Sequence, residues 1–326
     1  MKTKHWGIVL AAAAVPLALA GPAATAATAP EPAAQTAQAE QQAFTAIEDR
    51  YWNDAALREL LGEPVDSEQN AEKFNYQQYQ HGWMFQNLGD GAVTAIQGDI
   101  AARYTELGGA PELGAATTDE LVAPDGVGRY NHFTGGSVHP SIYWTPDTGA
   151  QAVWGPVRDF WESKGWEVGY LGYPTKSTST TADGAGAYNH FVGPDGAGAS
   201  VYWSDESGAH SVQGDIRDVW AGQGWETGTL GYPTTDELVV ADGVGRYNEF
   251  AGTGGEPGAA YWSPDSGAHW LAGPILERWD QLDGQAGYLG YPTSDPHEVE
   301  GGTQVDFQRG YVVLDESTGE VTDAPW

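Results

Sequence analysis

Three stretches of the chain read almost alike: "GYLGYPT" at Gly169–Thr175, "GTLGYPT" at Gly228–Thr234 and "GYLGYPT" at Gly287–Thr293. Each is a corner by its chemistry. Proline holds the preceding tyrosine in extended geometry and cannot donate to a strand ladder. The glycine before that tyrosine permits a left-handed turn or a close backbone approach, and the leucine is the side chain expected to enter the core. Two readings of the recurring tyrosine stay open. It belongs to a packing corner between helix and sheet, or the rings of Tyr173, Tyr232 and Tyr291 line a groove. The variant Leu113-Gly114-Ala115-Ala116 stands at the same place with neither Tyr nor Pro.

The corner is part of a repeat. Tyr143-Trp144, Tyr202-Trp203 and Tyr261-Trp262 are spaced by 59 residues, as are Gly155, Gly214 and Gly273, while Phe133, Phe191 and Phe250 follow at 58 and 59. Recurrence in phase requires internal duplication, and it organises the chain before any fold is considered. A degenerate first repeat with an N-terminal helix is expected over 43–97. Repeats over 98–154, 155–213 and 214–272 follow, then a capping repeat over 273–326. The first has Leu61-Gly62-Glu63-Pro64 at the corner, with Phe74 lying 59 residues before Phe133. The last keeps the corner and Phe307 but carries Tyr311-Val312-Val313-Leu314 in place of Tyr-Trp. Altered end units are what an array predicts, because their outer faces meet water.

One unit can be read element by element. "PVRDFWESKGW" (Pro156–Trp166) predicts a short helix, with Pro at its start, Val157, Phe160 and Trp161 on one face, and Gly165 at its end. "GAGAYNHF" (Gly184–Phe191) and "SVYW" (Ser200–Trp203) read as strands, and "SDESGA" (Ser204–Ala209) as a hairpin turn. The predicted fold class is therefore mainly β with short helices: small α+β repeats in a tandem array of five units. Strand alternation pairs Ile142 with Trp144, Val201 with Trp203 and Ala260 with Trp262. The tryptophans are thus expected in the core, and Tyr143, Tyr202 and Tyr261 outward or between units. An outward ring is a platform that stacks on sugars. The same reasoning puts Phe133, Phe191, Phe250 and Phe307 inside and His132, His190, Glu249 and Asp306 on the opposite face.

Composition limits the partners. A formal charge of −31 opposes binding to nucleic acid, which needs clustered Lys and Arg, and to an anionic membrane surface. There is no cysteine, so apolar packing must hold the fold without disulfides, and thiolate chemistry is absent. Lys2 and Lys4, the apolar run Trp6–Ala20 and the small-x-small sites Ala24-Thr25-Ala26 and Ala27-Thr28-Ala29 describe a secretory signal, expected over 1–26. That run is short for a bilayer span and interrupted by Pro16. The Ala-, Pro- and Gln-rich stretch over 27–42 reads as a flexible leader.

A reaction centre is hard to find. There is no Gly-x-Ser-x-Gly and no His-Glu-x-x-His. "DGVGRYN" (Asp125–Asn131 and Asp242–Asn248) reads as a tight turn entering a strand rather than a phosphate loop. His132 and His190 are equivalent, but Glu249 replaces them in the next unit, which suits a polar surface position better than catalysis. Carboxylates recur after the corner at Asp119-Glu120, Asp236-Glu237 and Asp295. A glycoside-hydrolysing pair such as Asp236 with Glu237 stays open. Recurrence nevertheless favours several weak equivalent sites, which give avidity on a repetitive polymer.

The Leu-Gly-Tyr-Pro corner, the Gly-x-Gly-x-Tyr-Asn-x-Phe strand, the Tyr-Trp-Ser-Pro-Asp-x-Gly-Ala hairpin and the closing glycine together resemble the LGFP repeat family of actinobacteria. The resemblance runs from about Ile47 to the C-terminus, with Tyr for the family's Phe at Tyr173, Tyr232 and Tyr291. It implies an elongated stalk of small β-rich units associated with the peptidoglycan–arabinogalactan wall, of the kind carried by some mycoloyltransferases. The expected protein is a secreted, wall-associated, non-enzymatic monomer that binds envelope polysaccharide, with no cofactor and no metal. Its ligand-binding residues are expected to be Tyr143, Tyr202 and Tyr261, then Tyr173, Tyr232 and Tyr291. A secreted glycan hydrolase or esterase, or a pure spacer, are the alternatives.

Overall fold

Short helices alternate with small antiparallel sheets in a computed structural model that describes residues 44–135 and 138–326. The signal peptide and leader expected over 1–42 lie outside the described residues. The first sheet comprises Gln69–Ala71, Phe74–Tyr79, Gly82–Asn87 and Val93–Gln97. The second comprises Leu121–Val122, Arg129–His132, Ser141–Thr145 and Gly149–Val153, and the third Ser179–Thr180, Gly186–Val192, Gly198–Ser204 and Gly208–Gln213. The fourth is built from Leu238–Val239, Arg246–Phe250, Gly258–Ser263 and Gly267–Ala272, and the fifth from His297–Val299, Gly302–Phe307, Gly310–Asp315 and Val321–Pro325. All five are meanders in which each strand pairs antiparallel with the next, and the third sheet adds Tyr173–Pro174 beside Gly186–Val192. This is the tandem array of α+β units that the repeat predicts.

Helices α1 (Ala46–Asn53) and α2 (Ala55–Leu61) precede the first sheet. Thr45 and Glu48 form a reciprocal cap on α1, which satisfies two otherwise orphaned backbone donors. Helices α3 (Gly98–Glu106) with α4 (Ala110–Leu113), α5 (Gly155–Ser163), α6 (Gly214–Gly222) and α7 (Gly273–Gln281) each leave the last strand of one sheet and lie against the next. Trp161, Trp220 and Trp279 point from α5, α6 and α7 into the core and are fully buried.

The corners close all five units in one way. Leu61, Leu113, Leu171, Leu230 and Leu289 are buried. Behind each stands a glycine in the left-handed region, with φ of 70°, 72°, 66°, 68° and 77° at Gly62, Gly114, Gly172, Gly231 and Gly290. The buried indole N–H groups of Trp161, Trp220 and Trp279 donate to the carbonyls of Gly172, Gly231 and Gly290 at 3.1, 3.0 and 3.0 Å. Tyr104 and Tyr51 do the same through their phenols, to Gly114 at 2.6 Å and Gly62 at 2.9 Å. The residue two after each glycine bridges the inner strand: Pro64 to Tyr79, Ala116 to Phe133, Pro174 to Phe191, Pro233 to Phe250 and Pro292 to Phe307. This register corrects one expectation. The first-unit partner of Phe133 is Tyr79, not Phe74, because the first hairpin is shorter and the 59-residue spacing does not hold there.

The first four sheets are packed on both faces, and the fifth packs one face against the fourth. One core lies between α1–α2 and the first sheet, and four more lie between consecutive sheets, each holding the intervening helix and corner.

Candidate functional site

Packing on both faces puts Tyr143 and Tyr202 between units, one of the two expected places, and rules out the outward one. Tyr143 and Tyr202 are each 2% exposed, while Trp144, Trp203 and Trp262 are half-buried. Alternation separates the two rings correctly, but each side is a core. The tyrosine belongs to the core shared with the next unit and the tryptophan to the core shared with the previous one. Tyr143 meets Trp161 edge-on at 4.7 Å and stacks on Trp166, and Tyr202 does the same with Trp220 and Trp225. Neither has a face left for a sugar. Tyr261 differs, because Gly284 stands where Trp166 and Trp225 stand in the earlier units. Its ring meets Trp279 at 4.7 Å and lines a cavity of about 430 Å³ with Glu249, Leu276 and Asp280.

The corner tyrosines are latches between units. Tyr173 donates its phenol to Asp125 at 2.7 Å, Tyr232 to Asp183 at 2.8 Å, and Tyr291 to Asp242. These aspartates sit in the Asp-Gly-x-Gly turn of the preceding sheet, where Asp125 also accepts from the Val127 and Gly128 backbone. The second glycine of that turn is the docking surface: a Cβ on Gly128, Gly186 or Gly245 would meet the ring of Tyr173, Tyr232 or Tyr291. Burial, helped by the Asp183 contact, pushes the Tyr232 phenol up to about 12.

The carboxylates after the corner serve a similar purpose. Asp119 accepts from the Ala95 backbone at 2.9 Å and from Arg50 at 3.0 and 2.7 Å. Asp236 accepts from the Ser211 backbone at 3.2 Å and from Lys164 at 2.7 Å, with the His210 ring at 3.3 Å. Burial works to raise the Asp236 carboxyl, but His210, Lys164 and Ser211 outweigh it and hold it below the usual range. Asp295 repeats the pattern with His269 and the Trp270 backbone. His132 and His190 each share a hydrogen bond with a serine, Ser141 and Ser200, at 2.7 and 2.8 Å. Both are pushed down to about 4, first by burial and then by Arg158 or Arg217, so they are neutral at pH 7.

The third and fourth units meet around a cleft of about 560 Å³. Tyr170, Asp195 and Gln213 come from the third unit, Asp215 from the first turn of α6, Glu237 from the loop that enters the fourth sheet, and Arg246 and Trp262 from that sheet. The Trp262 indole N–H donates to Asp215 at 2.9 Å, and Gln213 donates to Glu237 at 3.1 Å. Arg246 lies 3.8 Å from Glu237 and anchors its guanidinium on the Val244 and Gly245 carbonyls at 2.7 and 3.0 Å. Burial raises the Glu237 carboxyl, against the pull of Gln213 and Arg246. An aromatic ring flanked by fixed donors and acceptors suits a polyhydroxylated ligand.

LGFP repeats match residues 113–169, 171–228 and 230–287, just over half of the chain. The chain belongs to the LGFP repeat family. No curated protein matches it. Among solved structures, it is similar to a nidogen/laminin complex at 14% identity, over 78% of this chain and 75% of that one, with a TM-score of 0.15. TolB from Acinetobacter baumannii matches at 12% identity over 78% and 52%, with a TM-score of 0.14. AofleA from Arthrobotrys oligospora matches at 11% over 81% and 68%, with a TM-score of 0.15. These overlaps are too slight to bear on fold or activity. Each matched LGFP segment begins at a corner leucine, Leu113, Leu171 or Leu230, so the family's phase runs from one corner to the next. LGFP repeats are a repeat module rather than a catalytic family. Among the described residues, no helix is long and apolar enough to cross a membrane.

Sequence reasoning missed the cleft because its members come from six separate stretches of two LGFP units. The signal was present all the same: Glu237 and Arg246 belong to "DELV" and "GVGRYN", motifs that recur in the second unit and not in the third.

Proposed function

We propose that this LGFP protein is a secreted, non-catalytic component of the cell envelope that binds wall polysaccharide between its units. The cleft between the third and fourth units carries this reading, with the Trp262 ring beside Gln213, Glu237 and Arg246. Export rests on the basic, apolar and small-residue order of the N-terminus. The non-catalytic reading is supported by the engagement of the recurring carboxylates. Asp119, Asp236 and Asp295 pin neighbouring units together, and Glu237 is paired with Arg246. The contact residues move from the buried Tyr143 and Tyr202 to Trp262 and its polar neighbours, with Tyr261 as a separate, partly buried ring lining its own cavity. Sedimenting the mature protein with purified actinobacterial wall tests the reading. Retention that weakens on Trp262→Ala is expected. A protein that stays in the supernatant at every salt concentration overturns it.

A further inference from the structure

The four boundaries between units are not alike; they alternate. At the third–fourth boundary stand Gln213, Asp215, Glu237, Arg246 and Trp262. At the first–second boundary the equivalent positions hold Gln97, Asp99, Glu120, Arg129 and Trp144, the same five residue types in the same order. The two remaining boundaries lose the set. The second–third has Trp154, Pro156, Thr178 and Ala187 before Trp203, and the fourth–fifth has Ala272, Pro274, Pro296, Thr303 and Leu314.

Part of the geometry repeats along with identity; among the described residues the Trp262–Asp215 and Gln213–Glu237 hydrogen bonds have no counterpart at Trp144 and Gln97. Arg129 faces Trp144 across the second sheet as Arg246 faces Trp262 across the fourth. Arg129 lies 4.0 Å from Glu120 and anchors on the Val127 and Gly128 carbonyls at 3.3 and 3.0 Å, the equivalents of the Arg246 anchors. Burial raises the Glu120 carboxyl against Arg129, as it raises Glu237. Each arginine also pairs with an exposed valine on the outer strand, Val122 or Val239, so that a Val-Arg-Trp row crosses the same face of both sheets. In the third sheet Thr180 and Ala187 replace the Val and Arg of that row.

We propose that the chain carries two equivalent glycan clefts, at the first–second and third–fourth boundaries, two units apart, and that they take neutral oligosaccharides. Asp195, Asp215 and Glu237 outnumber Arg246 in the cleft, which disfavours an anionic sugar, while the ring and the apolar row suit a sugar's C–H face. Two clefts on one chain raise avidity on a repetitive polymer without any new contact. This rests on the glycan-binding reading above and adds valency and ligand charge to it.

Calorimetric titration of the full chain with a neutral arabinogalactan oligosaccharide, and separately with a carboxylate-bearing muropeptide, tests it. Two equivalents of the neutral sugar per chain are expected, falling to one in Arg246→Ala or Arg129→Ala and to none in the double variant, each with an unchanged melting profile. One or four equivalents in the unaltered chain overturns the alternation while leaving glycan binding intact. Tighter binding of the muropeptide overturns the ligand class. No heat with either sugar overturns the glycan reading and this inference together.

Discussion

The boundary between the first and second units and the three that follow solve one packing problem with different parts. In the later three, a corner tyrosine crosses to an aspartate in the preceding sheet and rests on a glycine. At the first, Ala115 replaces the tyrosine, the preceding turn is the two residues Glu72-Lys73, and Phe74 occupies the docking glycine's place. The latch is lost on both sides at once, and the bidentate Arg50–Asp119 pair ties the two units instead. The closure of a unit upon itself is kept in all five, with a helix aromatic donating to the corner glycine. Closure and coupling are therefore separate devices: the first defines a unit, and the second joins it to its neighbour.

The largest effect should come from breaking closure. Trp220→Ala removes a fully buried indole and orphans the Gly231 carbonyl. A loss of about 3–5 kcal/mol is expected by urea denaturation. Tyr104→Phe, which removes only the hydroxyl at the first boundary, should cost about 1–3 kcal/mol by the same measurement, because the Gly114 carbonyl is left unpaired. Equal losses in the two variants would deny that the indole fills the core as well as closing the corner.

Breaking the latch should cost less. Gly245→Ala puts a methyl group against the Tyr291 ring, and a loss of about 1–3 kcal/mol is expected from the same denaturation curves. A neutral outcome would mean that the tyrosine does not need its glycine.

The smallest effect is one of pH, and it too separates the boundaries. His132 and His190 titrate near 4 in the folded chain against an ordinary 6.5, so between these values the unfolded chain binds more protons. Stability from these two sites is complete above pH 6.5 and is lost as the pH falls toward 4. Gln78 holds the equivalent place at the first boundary and does not titrate. His190→Gln should flatten the pH dependence of the melting temperature over that window, and an unchanged slope would refute the assignment.

The sequence is a good guide wherever a residue's role repeats. Leu171, Gly172 and Pro174 announce a corner through their own chemistry, and Phe191 and Phe250 fall inside as alternation requires. It stops short at Tyr143 and Tyr202, because alternation distinguishes two faces without saying that each is buried against a different neighbour. Two-residue strands such as Leu121–Val122 are too short to leave a periodic signal. The latch was half legible: the tyrosine and the Asp-Gly-x-Gly turn both recur, but their contact spans 48 residues at Tyr173 and depends on how units stack. The cleft demanded a further comparison, of alternate units rather than adjacent ones.

The ties between units are all short in chain terms. Among the described residues, no side-chain hydrogen bond reaches further along the chain than the 74 residues from Arg103 to Ser177. Each unit can therefore be finished once its immediate successor has emerged, with no partner awaited from the far end. Folding of this kind advances as a front along the chain, and low contact order keeps that front fast. The boundary without a latch is where the order of events can slip, so the first unit is the one to watch for late docking.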